Sequence, residues 1–448
     1  MKIVLLSPKG PLYRHRGGIF GRNLRYAPLT LTTLAALIPE ELGATVEIHD
    51  ESVQDIPIPI EADLVGITVI TGTARRAYEI ADRLRAAGTP VVLGGPHVTL
   101  VPDEAAQHAD AVVTGYAEQT WPALLRDFAA GRMAPRYVQG PDLSFEGVPY
   151  PRRDLLDARR FLTTAVFEAT RSCAHDCEFC VAPTAWGRKP YLKPVEYVVE
   201  DIRRHGARRI LFVDLNLISD RNHARQLFEA MIPLGVRWFG LSTTLIAHDP
   251  PLLDLMARSG CNGLLLGFES MLPGTLRETR KGFNDPATYL RLVGDLHDHG
   301  ITVMGCFVFG LDHDTPAVFR ETVEFAVDAG IDLPRFAIAT PFPGTPLFRR
   351  LEAEGRLLTR DWELYDAQHV VFRPAQMSVE DLQQGHERAW RSAYSWRSIA
   401  RRLLRSHTHT ATAIPANLGY RFYAHRLHEF YNCDWFIGQE AAPREIAA

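Results

Sequence analysis

The segment TRSCAHDCEFC, residues 170–180, places Cys173, Cys177 and Cys180 within eight positions and supplies no fourth cysteine nearby. A metal site that only staples a fold usually takes four protein ligands. Three thiolates can instead hold three corners of a cubane iron-sulfur cluster and leave one iron free for an outside ligand. Two rivals compete with that reading. Zinc could recruit His175, although a histidine two residues after one cysteine and two before the next does not match the usual ligand spacings. A disulfide with one spare thiol is the other. Of the remaining cysteines, Cys261 and Cys306 sit among apolar and glycine residues and are expected to act as small buried hydrophobes, while Cys433 is isolated.

Chemistry of this kind needs a frame, and the alternation of apolar runs with amphipathic stretches supplies one. TTAVFEAT (163–170) ends just before the first cysteine, and RRILFVDL (208–215), VRWFGLST (236–243), NGLLLGFE (262–269), ITVMGCFVFG (301–310) and PRFAIAT (334–340) follow as further strands with helical patterns between them. Six β/α units in this length cannot close the usual eight-unit barrel of ~250 residues, so a partial, open (β/α)6 barrel is predicted, with the cysteines at its C-terminal mouth. Residues 1–140 carry a separate series, KIVLL, VEIHD, DLVGITVI, PVVLGG and AVVTG, which reads as a doubly wound, Rossmann-like parallel sheet. The expected α/β organisation is therefore a first domain at 1–140, a linker at 141–160, a barrel at 161–355 and a mainly helical C-terminal segment at 356–448.

With 46% hydrophobic and 23% charged residues the composition is globular, and the net charge of -4 gives no bias toward nucleic acid. No apolar run approaches the ~18 residues of a membrane span, and the start MKIVLLSPKG is unlike a signal peptide; a cytoplasmic location is expected. Residues 388–426 hold eight arginines and no Asp or Glu, with Trp390, Trp396, Tyr420 and Tyr423 interleaved. This stretch reads as solvated helix faces with packed aromatics.

The C-x3-C-x2-C spacing after the first barrel strand, with Phe179 before the last cysteine, resembles the radical S-adenosylmethionine (radical SAM) superfamily. The resemblance implies a 4Fe-4S cluster on Cys173, Cys177 and Cys180, whose free iron is chelated by S-adenosylmethionine, and an electron that splits the sulfonium to a 5'-deoxyadenosyl radical. GFES (267–270) resembles the stretch whose carboxylate meets the cosubstrate, making Glu269 a candidate for its amino or ribose groups. Phe179, Asp214 and Asn216 in FVDLN, and Ser242 and Thr243 in LSTT complete the implied SAM set; all but Phe179 lie at strand ends.

The first domain lacks the G-x-G-x-x-G of nicotinamide binding. It is similar instead to the cobalamin-binding domains that precede many such barrels, on ITVITGT (67–73), VVLGGPHVT (91–99) and GYAEQTW (115–121). That likeness implies cobalamin contacts from Thr68, Ile70, Thr71, Gly72, Thr73, Gly94, Gly95, Pro96, His97 and Gly115. The D-x-H-x-x-G motif is absent, so cobalt is expected to lack a histidine on its lower face, and Tyr116 stands where relatives often carry an acid. The run from GFES through TPFPGTPLF to HVVFRP looks like the subgroup that includes hopanoid methylases. The implied activity is methyl transfer to an unactivated carbon or phosphorus of a small-molecule biosynthetic intermediate. Other radical outcomes on the same scaffold, ring contraction, cyclisation or 3-amino-3-carboxypropyl transfer, are the alternative, and a non-catalytic iron-sulfur or zinc protein is the outsider. An electron donor such as flavodoxin or ferredoxin is the implied partner.

Overall fold

The computed structural model describes residues 1–10, 25–140, 142–406, 408 and 410–427. The first domain is built on β1 (Lys2–Ser7), β2 (Thr45–Asp50), β3 (Leu64–Thr68), β4 (Val91–Gly94), β5 (Ala111–Thr114) and β6 (Arg136–Val138), all parallel, in the order β2-β1-β3-β4-β5-β6. Alternation along β1 explains the two cores. Ile3 and Leu5 point to the face covered by helices Leu29–Ala36 and Thr120–Ala129, and Val4 and Leu6 to the face covered by Ala74–Ala86. The strand order reverses between β1 and β3, and a crevice opens at the carboxyl ends of strands wherever that happens.

The second sheet is built on β7 (Val166–Phe167), β10 (Arg209–Phe212), β11 (Arg237–Ser242), β12 (Cys261–Glu269), β13 (Thr302–Phe309) and β14 (Leu333–Ile338), again all parallel, in the order β14-β13-β12-β11-β10-β7. Strands β8 (Thr170–Arg171) and β9 (Tyr191–Leu192) form a small antiparallel pair around the cysteine loop. β14 and β7 do not pair, so the sheet is the open barrel of six strands that the sequence predicts. Phe212, Trp238, Leu264, Leu266, Phe268, Phe307, Phe309 and Phe336 point outward into the main core under the helices. Leu211, Val213, Phe239, Leu241, Leu265, Met304 and Val308, on the opposite phase, are only half-buried and line the lumen.

The free edge of β14 is covered by helix Val379–Ala393. Trp390 Nε1 and His386 Nε2 both bond the Phe336 carbonyl at 3.1 Å, and the Tyr394 hydroxyl donates to that of Pro334 at 2.9 Å. Capping an open sheet edge this way removes a template for unwanted pairing. The basic C-terminal stretch is mostly solvated, with Trp396 exposed under Arg421, whose guanidinium lies 4.3 Å from the ring. Arg402 departs from that expectation. It is fully buried and donates to the carbonyls of Ile331, Asp332 and Ala393, tying helix Trp396–Ser406 to the barrel.

Candidate functional site

The cysteine loop leaves β8 through Ser172, which sits at φ 65°, and ends where Cys180 caps helix Val181–Trp186. Its path is pinned from three sides. The amide of Cys180 bonds the Cys177 carbonyl at 3.0 Å, that of Glu178 bonds Thr279 O at 3.0 Å, and the Glu178 carboxylate pairs with Arg350 at 2.8 Å. Burial pushes the Cys177 thiol up to about 12 and raises Cys180 as well, with the neighbouring thiols adding to both shifts. The thiols are thus close enough to feel one another. Three thiols on one loop with no fourth cysteine nearby fit a cluster with one open iron better than a closed zinc site. His175 is turned to stack on Phe283, ring centroids 4.0 Å apart, rather than toward the thiols as a zinc ligand.

Glu269 enters the mouth by a local device. The register between β12 and β13 shifts at Gly267/Glu269, and Glu269 adopts φ 64°, a bulge that re-aims the side chain. Its carboxylate pairs with Lys281, and both are buried. Although burial disfavours the ammonium charge, Glu269 and then Cys177 and Cys180 hold Lys281 above its ordinary range, so the pair lies beside the cysteine loop. Lys281, in RKG, went unread in the sequence because a lysine in a loop carries no spacing signal.

The other strand-end residues divide by the phase of their strands. Thr243 follows the lumen phase of β11, and its hydroxyl is buried without a hydrogen-bond partner, free to meet a polar group of a bound nucleotide. Ser242, on the opposite phase, spends its hydroxyl on the Thr243 carbonyl at 3.3 Å. Asp214, two residues past the end of β10, is buried; its carboxylate accepts the amides of Ala169, at 3.0 Å, and Thr170. Burial, with the nearby charge of Glu168, pushes it up to about 7. Asn216 is likewise occupied, its Oδ1 accepting the Ile218 amide at 3.3 Å. Asp214 and Asn216 therefore brace the strand that leads to the cysteines and do not open onto the lumen. Phe179 packs against the edge of the main core. Cys306 corrects a further expectation: it is half-buried and, set level with Gly267 and Arg335, faces the lumen.

Between the two domains lies a cavity of about 360 Å³. Thr68, Ile70, Gly94, Gly95, Pro96 and Gly115 line its first-domain side, and Val213, Leu215, Arg171 and Trp186 its barrel side. The glycines fit a bulky flat ligand. Gly66, also on the wall, leaves bare the approach that a Cβ would close against Leu5 at 3.0 Å and the Trp121 ring at 3.2 Å. Gly95 sits at φ 106°, where a Cβ would meet Val69 N and O at 2.8 Å. Glu118 Oε2 is buried on the wall without a partner, an acceptor available to a ligand amide. No histidine lines the cavity among the described residues, while His15 falls outside them.

Thr71, Gly72, Thr73 and His97 do not line that cavity. Thr73 Oγ1 bonds Ile70 in a tight turn, and His97 is enclosed between Thr71 Oγ1, Glu104 and the Trp362 ring. Trp362 reaches them from the far end of the chain and donates to Glu104 at 2.9 Å. Tyr116 stacks on Trp186 at 5.3 Å and carries the Arg171 guanidinium 4.9 Å from its ring centre. Arg171 in turn pairs with Glu118 and Glu168, and Lys193 joins Glu168 at 3.0 Å, a buried network that links the domains beside the cavity.

The chain matches the radical SAM superfamily model over residues 167–326 and the B12 binding domain model over 24–125, and a domain of unknown function (DUF4070) over 345–444. It is 32% identical to the bacteriochlorophyllide d C-12(1)-methyltransferase of Chlorobaculum tepidum over 393 residues, 84% of either chain. This chain belongs to the cobalamin-dependent radical SAM methyltransferases. The hopanoid C-2 methylase of Rhodopseudomonas palustris is 27% identical, the match covering 75% of this chain and 66% of the relative. In fold it is similar to the radical SAM methyltransferase TsrM of Kitasatospora setae, with a TM-score of 0.63 at 20% identity over 79% of this chain and 78% of that one. The enzyme's cofactors are a 4Fe-4S cluster, S-adenosylmethionine and cobalamin. The groups they supply are a reducing iron-sulfur centre, a radical precursor and a methyl carrier.

Proposed function

We propose that the enzyme methylates an unactivated carbon of an apolar small-molecule intermediate bound in the barrel lumen. The observation that carries this reading is the continuity of two surfaces. Val213, which continues the lumen phase just past the end of β10, and Leu215 in the turn after it line the cavity between the domains. A ligand seated on Gly94 and Gly95 would then face a substrate lying on Phe239, Leu241, Leu265, Met304 and Val308, with the cysteine loop at the same mouth. In this reading Cys173, Cys177 and Cys180 hold the cluster, and Glu269, Thr243 and Lys281 orient the nucleotide cosubstrate, with Phe179 beside the cluster. Thr68, Ile70, Gly94, Gly95, Pro96 and Gly115 seat the corrin. The apolar wall excludes water from a reacting centre, which protects a carbon radical from side reactions.

The reductant in this proposal is a flavodoxin or ferredoxin, which fits a cytoplasmic enzyme; among the described residues no helix is long and apolar enough to cross a membrane. The test is anaerobic turnover with S-adenosylmethionine bearing a trideuterated methyl group, offered chlorin and hopanoid acceptors. Appearance of 5'-deoxyadenosine together with a product carrying the labelled methyl is the expected result. Release of 5'-deoxyadenosine with a rearranged, unlabelled product would overturn methyl transfer in favour of ring contraction or cyclisation.

A further inference from the structure

Arg335 is a cation on the lumen-facing phase, near the mouth, that an apolar substrate does not explain. It sits in the middle of β14, directly opposite Cys306 of β13, which in turn lies opposite Gly267 of β12. The three therefore form a layer just below Glu269. Strand alternation directs Arg335 into the lumen, since Pro334 and Phe336 on either side are buried in the opposite phase. Arg335 is exposed to solvent, with Cys306 opposite it in the sheet and Tyr394, Tyr420 and Tyr423 of the C-terminal helices near enough to act on its charge.

None of these neighbours offers a counter-charge. Burial pushes the Cys306 thiol up to about 11, so it is neutral, and phenols ionise only near pH 10. Glu269, one step up the mouth, is committed to Lys281. Among the described residues Arg335 makes no hydrogen bond and no ion pair, in a chain where most arginines near a carboxylate have found one. Exposed to solvent and unpaired among the described residues, the guanidinium is available to an anionic ligand. It presents a planar fork that matches a carboxylate with two parallel hydrogen bonds.

We propose that Arg335 binds a carboxylate of the substrate and so fixes which carbon of an otherwise apolar molecule lies beneath the cysteine loop. A single guanidinium with no second free cation beside it among the described residues matches a monoanion better than a phosphate ester. The inference rests on the reading that the lumen is the substrate site, and it makes Arg335 a specificity-determining residue.

Cys306 provides a reporter that needs no turnover. The reconstituted holoenzyme is treated anaerobically with iodoacetamide, and carbamidomethylation of Cys306 is followed by peptide mass spectrometry with benzoate, benzamide or phenyl phosphate present. Benzoate is expected to slow labelling about threefold or more at a concentration where benzamide has no effect. Arg335→Met should abolish that protection and Arg335→Lys retain part of it, with thermal melting confirming that each variant is folded. Equal protection by benzamide, stronger protection by phenyl phosphate, absence of protection by benzoate, or protection that survives Arg335→Met would each overturn the proposal. The wild-type comparison stands even if a variant fails to fold. Loss of labelled-methyl transfer in the turnover assay, with benzoate protection intact, would instead count against the methylation reading alone.

Discussion

The two parallel sheets have the same number of strands and the same strand direction, yet the ligand sites we propose on them are prepared in opposite ways. The first works by leaving side chains out: Gly66, Gly94, Gly95 and Gly115 bare the backbone around a reversal of strand order. The second works by what its lumen-facing phase projects, namely Glu269, Thr243, Cys306 and Arg335, and by the cysteines of one loop. A site built from absence tolerates no added atom. A site built from donors fails when a donor is removed.

The most damaging way to break the second sheet's site is to remove a thiol. Cys173→Ala, Cys177→Ala and Cys180→Ala should each lower 5'-deoxyadenosine formation by at least ~1000-fold, because the cluster chemistry has no substitute. Circular dichroism should remain close to wild type, since the loop is held by Glu178 and backbone bonds rather than by the sulfurs. Persistent 5'-deoxyadenosine from any of the three would contradict the ligand assignment.

Next in size is Lys281→Met. Leaving Glu269 buried and unpaired should cost about 3–5 kcal/mol of stability, read as a lower denaturation midpoint. The double variant Glu269→Gln/Lys281→Met should recover most of that stability and little of the S-adenosylmethionine cleavage. Recovery of both would make the pair a structural device only.

The first sheet is probed by Gly95→Ala, which forces a Cβ at φ 106° into Val69 N and O at 2.8 Å. A strain of about 1–3 kcal/mol is expected. Corrinoid content, read from visible absorbance, should drop while the reconstituted cluster still cleaves S-adenosylmethionine. Equal loss of both activities would erase the contrast between the two sheets.

The smallest effect concerns pH. Asp214 is raised in the folded chain to about 7 from a value near 4 unfolded. Between those values the folded state holds the proton that the unfolded state has lost, so this group's contribution to stability falls as pH rises from about 4 to about 7. Asp214→Asn, which keeps an acceptor for the amides of Ala169 and Thr170, should show a flatter melting temperature across that window. An unchanged pH slope would show that Asp214 does not titrate there.

The cysteine spacing, the alternating strands and the glycine runs were legible in the sequence because each is local: a ligand triplet on one loop, a period of two, a residue without a Cβ. The same period of two could not say which phase faces the lumen, because both faces of a parallel strand are apolar. Asp214 and Ser242 therefore looked equivalent to Thr243 until the fold bound their side chains to backbone groups. His97 resembled a ligand contact in sequence, but Trp362 and Glu104 enclose it away from the cavity.

What the sequence by itself determined is the kind of chemistry: an incomplete thiolate set at the end of a strand, and two β/α series to carry it. Only the tertiary structure decided which polar groups remain available. Lys281 and Arg335 come from different units of the barrel, Arg171 bridges to the other domain, and Asp214 is consumed by backbone amides. The reason is that availability depends on whether a distant part of the chain has already satisfied a group, and hydrogen-bond partners across a fold leave no periodic trace in the order of residues.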